Sequence, residues 1–181
     1  MTSFDLLVLT AANEAQAAGY RAQLAWRRAN GLLAPDTRTR VITDPGGRRV
    51  GSLGATLNAL AELVGGQGTG RTPNAERPTS NAEVGERETG DGGRKKPVSD
   101  LRTYFTGKRI LICHSGGDSR RTPAYAAQGK VFTPVPATGA NGAPLALFDL
   151  ILRTVSALPA PEGGHVLVTS GDVLLTFDHA S

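Results

Sequence analysis

The chain is predicted to fold as a three-layer α/β domain around a mostly parallel sheet. Three short apolar runs, at residues 4–10, 109–114 and 165–169, have the composition of strands in the interior of such a sheet. Segments of helical composition alternate with the strands, as they do in parallel sheets covered on both faces. The length of 181 residues is about one domain's worth.

In the first part of the chain, local signals predict strands at residues 4–10 and 39–43 and helices at residues 13–26 and 55–64. Asn13 can cap the first helix, and Gly31 can end it. A turn is expected at residues 44–46, because Asp, Pro and Gly each favour turns.

Residues 65–99 contain almost no large apolar side chains. Such a segment cannot bury enough surface to offset the entropy lost on ordering, so a flexible insertion is expected there. The insertion divides one domain into a first part, 1–64, and a second part, 100–181. The second part carries the predicted strand 109–114, a helix at 143–158 and the last strand, 165–169.

Charge and composition exclude several classes of function. The net charge of +4 fits an anionic partner, but basic residues do not interleave with aromatic ones, so no nucleic acid is expected. The start, MTSFDLLVLTAANE, has neither the basic region of a signal peptide nor a membrane span. The lone Cys113, inside RILICH, is expected to be a buried thiol, with no disulfide or zinc site and a cytoplasmic setting.

The segment HSGGDSRRTPAYAAQGKVFTPVP, residues 114–136, has the residues of a polyphosphate site. Glycines directly after a strand let the backbone approach an anion and direct N–H groups at it. Arginine and lysine then supply charge suited to phosphate oxygens. The candidate nucleotide-binding residues are Gly116, Gly117, Asp118, Ser119, Arg120, Arg121 and Lys130.

Two long patterns give this segment a family resemblance. It lacks the Walker A and GxGxxG spacings, but resembles the GGxSRRxPAYxxxGKxxTPxP segment of fucose-1-phosphate guanylyltransferases, including the pyrophosphorylase part of bifunctional fucokinases. Upstream, DPGGRRVGSLGATLNAL is similar to that family's DPxGxxVGSGGxTLxAL, with Leu53 in place of a glycine. The resemblance covers residues 1–64 and 100–181.

The resemblance implies a Rossmann-like core of the GT-A type found in sugar nucleotidyltransferases. It implies transfer of GMP from GTP to a sugar 1-phosphate, with L-fucose 1-phosphate as the expected sugar. Gly116, Gly117, Arg121 and Lys130 would hold the triphosphate, with Arg121 and Lys130 as the catalytic residues. Asp172, just beyond the last strand, would hold Mg²⁺, and Asp178 is the second choice.

Several alternatives stay open. Gly51 and Gly54 either permit a tight turn or form an anion site at a helix N-terminus. Asp172 could instead begin a turn, and His114 fits a core histidine better than a base. Family members are much longer, so the chain is expected to be a fragment, a truncated protein or one part of a split enzyme. The alternative function is a truncated, non-catalytic nucleotide-binding module or one part of a larger bifunctional fucokinase/pyrophosphorylase. A C-terminal continuation or a partner chain is the candidate protein partner.

Overall fold

A computed structural model describes residues 4–48, 50–65, 98–115 and 128–176, and within them the apolar runs form strands as predicted. The strands are β1 Leu6–Ala11, β2 Arg38–Thr43, β3 Arg109–His114, β4 Pro134–Thr138, β5 Pro144–Ala146 and β6 His165–Ser170. The helices are α1 Glu14–Ala29, α2 Gly51–Gly65, α3 Val98–Phe105 and α4 Leu147–Ser156.

Four strands form a parallel sheet in the order β2-β1-β3-β6. In the centre, Leu6 of β1 is in register with Arg38 of β2 on one side and Ile110 of β3 on the other. β4 and β5 form a separate antiparallel pair. Because the four main strands are parallel, their C-terminal ends share one edge, called here the carboxyl edge.

Helices cover both faces of the sheet, because alternate residues of the buried strands point to opposite sides. Leu7 and Leu9 of β1 pack with α1 and α4 in one cluster of buried residues. Leu6 and Val8 pack with α2 in a second cluster, against which Tyr104 of α3 also lies. The mostly parallel α/β arrangement predicted from the sequence is confirmed.

Helix α1 begins and ends close to the predicted positions. The Asn13 side chain accepts a hydrogen bond from the backbone N–H of Gln16 at 2.9 Å, which caps the helix as expected. Gly31, just after the end of α1, has φ +67°, a conformation that glycine adopts without strain. Tyr20, Leu24 and Ala17 on its inner face are buried.

Two predicted helix starts need correction, and one helix was missed. Helix α2 begins at Gly51 rather than at residue 55, since Gly51 supplies the φ of +71° from which the chain enters the helix. The helix predicted from residue 143 begins at Leu147, because Pro144–Ala146 is a strand paired with β4. Helix α3 was not predicted at all.

The predicted insertion, 65–99, is helical at both ends, since Gly65 is the last residue of α2 and Val98 the first of α3. Residues 66–97 lie outside the described residues. Within the described ranges, no helix is both long enough and apolar enough to cross a membrane.

A buried ion pair joins α1 to α4. The Arg27 guanidinium donates to both carboxylate oxygens of Asp149, at 2.8 and 3.0 Å, and both side chains are almost fully buried. The same guanidinium lies over the ring of Phe132, 4.6 Å from its centroid. Asp149 also accepts the backbone N–H of Ala146 at the start of α4. Arg27 is therefore a structural residue and not part of an anion site.

Candidate functional site

The carboxyl edge of the sheet carries the candidate site. From the central strand β1 the chain moves outward to β2, then returns to add β3 and β6 on the other side. Open parallel sheets bind their ligands at the carboxyl edge, where the strand order reverses in this way. Strand β3 leads into the glycine and arginine segment, and β6 leads to Asp172.

Residues 114–136, predicted to bind phosphate, are called here the phosphate-binding segment. Most of this segment falls outside the described residues. Gly116, Gly117, Asp118, Ser119, Arg120 and Arg121 all lie there, as does Asp178. The predictions for these residues therefore stay predictions. The two ends of the segment, 114–115 and 128–136, are described.

Lys130 lies at the carboxyl edge, in a single 3₁₀ turn formed by Lys130–Phe132. The two residues that follow it, Val131 and Phe132, are buried and fix the turn to the core. The Lys130 side chain is 44% exposed, and its Nζ lies 3.3 Å from Oδ2 of Asp172. The fold thus brings together the predicted catalytic lysine and the predicted metal ligand, which are 42 positions apart.

Asp172 is held as a carboxylate by two partners. Ser170 Oγ donates to its Oδ1 at 2.5 Å, and Lys130 donates to its Oδ2. The hydrogen bond from Ser170 is the main cause that lowers the pKa of Asp172, and Lys130 lowers it further. The group is ionised at neutral pH and ready to bind a cation.

The residues present fit Mg²⁺ as one protein ligand beside a polyphosphate. Protein sites for Mg²⁺ often use one or two carboxylates, with substrate phosphates and water as the other ligands. The carboxylate of Asp172 is 46% exposed and so accessible to such a complex. Among the described residues, no group of three or more His, Cys, Asp or Glu side chains could hold a metal ion by itself.

Gly171 allows Asp172 and Lys130 to approach each other, and sequence analysis missed it. Its backbone N–H donates to the carbonyl oxygen of His114 at 2.7 Å. A Cβ on Gly171 would lie 3.0 Å from that oxygen and 3.2 Å from Cβ of Val131. A side chain here would fit only if these neighbours shifted by a few tenths of an ångström.

Comparison with known proteins gives this arrangement a family. Residues 103–181, which include Lys130, Gly171 and Asp172, match the family model described as "Fucose pyrophosphorylase domain". This part of the chain is therefore similar to fucose pyrophosphorylase domains. The resemblance inferred from the sequence motifs is thereby confirmed.

Two curated relatives match the chain over most of its length, and a third matches a shorter part. The bifunctional fucokinase/GDP-fucose pyrophosphorylase of Arabidopsis thaliana is 34% identical over 97% of the chain and 16% of the relative. The fucose-1-phosphate guanylyltransferase of Homo sapiens is 29% identical over 93% of the chain and 22% of the relative. The L-fucokinase/L-fucose-1-P guanylyltransferase of Bacteroides fragilis is 41% identical over 38% of the chain and 8% of the relative.

The chain therefore spans less than a quarter of the length of each of these members of the fucose pyrophosphorylase family. No solved structure matches the chain.

The first turn of α2 also lies near the carboxyl edge, outside the range matched by the fucose pyrophosphorylase model. Thr56 Oγ1 lies 2.7 Å from Nε2 of His114, which joins α2 to the end of β3. A Cβ on Gly54 would lie 2.7 Å from Cβ of Val50. Gly54 therefore has a steric reason to be glycine, and Gly51 has a conformational one, its φ of +71°. An anion-binding role for both stays a prediction.

His114 joins three elements of the fold, namely β1, α2 and its own strand β3. Thr56 Oγ1 donates its single proton to the Ser52 carbonyl, so it accepts from Nε2–H of His114. Nδ1 then accepts from Thr10 Oγ1, at 3.3 Å. Burial lowers the pKa of His114, although the charge of Asp44 opposes the change. A neutral ring held at both nitrogens is a structural histidine.

Proposed function

We propose that the chain is the nucleotide-binding portion of a guanylyltransferase that transfers GMP from GTP to a sugar 1-phosphate, with L-fucose 1-phosphate as the acceptor. One observation carries the proposal. Lys130, which follows the glycine and arginine segment, and Asp172, which follows β6, converge to 3.3 Å at the carboxyl edge, inside the range of the family match. The names of the relatives support fucose 1-phosphate as the acceptor.

The proposed reaction exchanges one phosphoanhydride bond for another. A phosphate oxygen of the sugar 1-phosphate attacks the α-phosphorus of GTP and forms a new P–O bond. The bond from the α-phosphorus to the oxygen that bridges it to the β-phosphorus breaks, and its electron pair leaves with pyrophosphate. Negative charge builds on the leaving oxygens, so catalysis depends mainly on positioning and on positive charge nearby.

Lys130 is suited to supply that charge. It lies on a turn fixed by buried neighbours, so its ammonium group reaches the carboxyl edge without reorganisation of the backbone. Arg121 would add a planar guanidinium to the same phosphates, as the family pattern implies. The glycines at 116 and 117 would let backbone N–H groups approach the phosphate oxygens.

Asp172 would hold Mg²⁺ on the same phosphates. The bound ion would supply positive charge to the phosphate oxygens during the transfer. The Lys130 ammonium group donates to Asp172, so a triphosphate that binds the lysine would replace this contact. Both groups would then face the ligand, the lysine directly and the carboxylate through the ion.

Two further features support the type of core and the cellular location that the proposal assumes. The reversal of strand order beside β1 is typical of Rossmann-like nucleotide sites, which supports a GT-A type of core. The lone Cys113 is buried and free, which fits a reducing, cytoplasmic location.

The second candidate function is a nucleotide-binding module that does not turn over by itself. The specific observation in its favour is coverage, since the chain spans only 16% of the Arabidopsis relative and 22% of the human one. In that case a C-terminal continuation or a partner chain would supply the rest of the sugar site.

One experiment separates the two candidates. The 181-residue chain is incubated with GTP, Mg²⁺ and fucose 1-phosphate, pyrophosphate release is measured, and GTP binding is titrated by calorimetry. Release that Lys130→Ala abolishes and Lys108→Ala leaves intact supports the enzyme, because Lys108 lies at the opposite end of β3. Binding without release supports the module. Absence of both contradicts both functions.

A further inference from the structure

Tyr20 of α1 contacts both ends of the phosphate-binding segment. Its side chain is fully buried, with 0% exposure. Its hydroxyl donates to the carbonyl oxygen of Ser115 at 2.7 Å, where the chain leaves β3. Its ring lies against Gly129, where the chain returns to the sheet just before Lys130.

The first contact fixes the departure point. Ser115 is held on two sides, since its own Oγ also donates to the Thr10 carbonyl of β1 at 2.8 Å. Burial raises the pKa of Tyr20 to about 12, so its hydroxyl keeps its proton and stays a donor at any physiological pH. The carbonyl of Ser115 would lose a buried partner without that hydroxyl, which is costly.

The second contact fixes the return point. A Cβ on Gly129 would lie 2.0 Å from the Tyr20 hydroxyl oxygen and 2.7 Å from two ring carbons, and the φ of Gly129 is +67°. Only glycine fits beside the tyrosine in this conformation. On the far side of Lys130, Phe132 packs edge-on against the Tyr20 ring, 5.4 Å between centroids. The backbone of Lys130 is thus bracketed by contacts to one side chain.

We infer that Tyr20 is a positioning residue for nucleotide binding, which sets the distance between Ser115 and Gly129 and thereby the place of Lys130 at the carboxyl edge. The inference rests on the proposed function for its consequence, since Lys130 matters only if it meets the phosphates. Its structural content, one side chain that fastens both ends of the segment, stands apart from that function.

The expected consequence is a smaller loss of conformational entropy when the nucleotide binds. With Ser115 and Gly129 held by Tyr20, Lys130 has fewer arrangements to lose when it meets a polyphosphate anion. Preorganisation of this kind increases affinity by lowering the ordering cost of binding, without a direct contact between Tyr20 and the ligand. A purely structural core tyrosine would affect unfolding but not the affinity of the folded protein.

The test uses Tyr20→Phe, which keeps the ring and removes the hydroxyl, with Tyr104→Phe on the opposite face of the sheet as the matched control. At a temperature where all proteins are folded, we expect the dissociation constant for Mg-GTP to rise several-fold in Tyr20→Phe, up to a limit of about tenfold set by the loss of one buried hydrogen bond. Tyr104→Phe should leave it unchanged.

A second readout does not depend on nucleotide. Trypsin can cut after Arg120 and Arg121, between the two fastened ends, and after Arg153 in helix α4, which reports unfolding of the core. In the nucleotide-free chain, we expect the ratio of cleavage at 120–121 to cleavage at Arg153 to rise several-fold in Tyr20→Phe, because only the local restraint is lost.

The outcomes separate the positioning role of Tyr20 from the proposed guanylyltransferase function. An unchanged cleavage ratio in Tyr20→Phe would overturn the positioning role, whatever GTP does. A wild-type chain that binds no GTP would overturn the proposed function, while the ratio would still decide the role of Tyr20.

A double-mutant cycle covers the case in which a single variant is too unstable. Gly129→Ala should destabilise the wild type strongly and the Tyr20→Leu background much less, because the smaller side chain leaves room for the methyl group. Additive effects on the urea midpoint would show that the contact has no energetic role and would overturn the inference.

Discussion

Lys130 and Asp172 act as each other's counterion at the carboxyl edge, with 3.3 Å between Nζ and Oδ2. Each is also the group that a metal–triphosphate complex would need, the lysine for phosphate and the carboxylate for the cation. The pair is half-exposed and so adds little to stability. Its position at the end of β6 and beside the phosphate-binding segment makes it the first place to test by mutation.

Removal of the lysine should weaken nucleotide binding. We expect Lys130→Ala to reduce GTP affinity by about 1–3 kcal/mol, the range for a charge-assisted hydrogen bond to phosphate, and Arg121→Ala to have a similar effect. Calorimetric titration measures both, with Lys108→Ala as the control. Unchanged affinity in both site variants would contradict the phosphate site.

Removal of the Asp172 carboxylate should affect GTP binding in opposite directions with and without Mg²⁺. Without Mg²⁺, Asp172→Asn should bind GTP at least as tightly as the wild type, because Lys130 no longer has a competing anion. With Mg²⁺, the variant should lose pyrophosphate release and the gain in affinity that the metal gives. A variant that weakens GTP binding equally in both conditions would argue against Asp172 as the metal ligand.

Stability should depend on pH through His114. Burial lowers its pKa in the folded chain below the ordinary value of 6.5, so the unfolded chain binds the proton first as pH falls. The neutral ring therefore contributes its full stability above pH 6.5, and this contribution is lost progressively as pH falls from 6.5 toward the lower, folded pKa. Melting temperatures at pH 7.5 and 5.5 should differ more in the wild type than in His114→Gln. Equal differences would contradict this assignment.

The buried ion pair of α1 should be worth far more than the exposed one on the same helix. Arg27→Ala leaves the Asp149 carboxylate buried without its counterion, and we expect a loss of about 3–5 kcal/mol in the free energy of unfolding. Arg21→Ala breaks an exposed pair with Glu14 and should cost about 1 kcal/mol or less. Urea unfolding of both variants tests the contrast, and similar losses would refute it.

Cys113 should be unreactive until the chain unfolds. Its thiol is 1% exposed, and burial raises its pKa to about 12, so almost no thiolate forms at neutral pH. We expect the aromatic disulfide reagent DTNB to label Cys113 completely in urea and negligibly in the folded chain at pH 8. Fast stoichiometric labelling of the folded protein would show that β3 opens readily.

Deletion of residues 68–96 should leave the fold intact. These residues lack core-forming side chains, and the entropy of closing a loop changes only with the logarithm of its length. With a short glycine–serine linker in their place, we expect the free energy of unfolding to change by less than about 1 kcal/mol. A broad or absent unfolding transition in the deletion variant would contradict the prediction of an insertion.

Elements with strong local signals were predictable from the sequence. The continuous hydrophobicity of residues 4–10 and 109–114 was sufficient for the two central strands, and Asn13 for the start of α1. Helix α3 has only eight residues and depends on the packing of Tyr104 and Phe105 against the sheet, which no local pattern reveals. The start of α4 was misplaced because β5 exists only through pairing with β4.

The candidate site was predictable as a set of residues but not as an arrangement. Lys130 and Asp172 could be named from the family pattern and from their positions beside strands. Their contact depends on the pairing of β3 with β6 and on the space left by Gly171, both of which are tertiary features. Tyr20 was missed for the same reason, since its partner Ser115 lies 95 positions away.

The pairing of β1 with β3 is the seam between the two halves of the chain, from Leu6 beside Ile110 to Thr10 beside His114. The contacts of Tyr20 with Ser115 and of Arg27 with Asp149 cross the same boundary. The alignment of the two halves is therefore set by these contacts and not by the chain that connects α2 to α3. We expect the halves to associate correctly even when that connection is lengthened, shortened or cut.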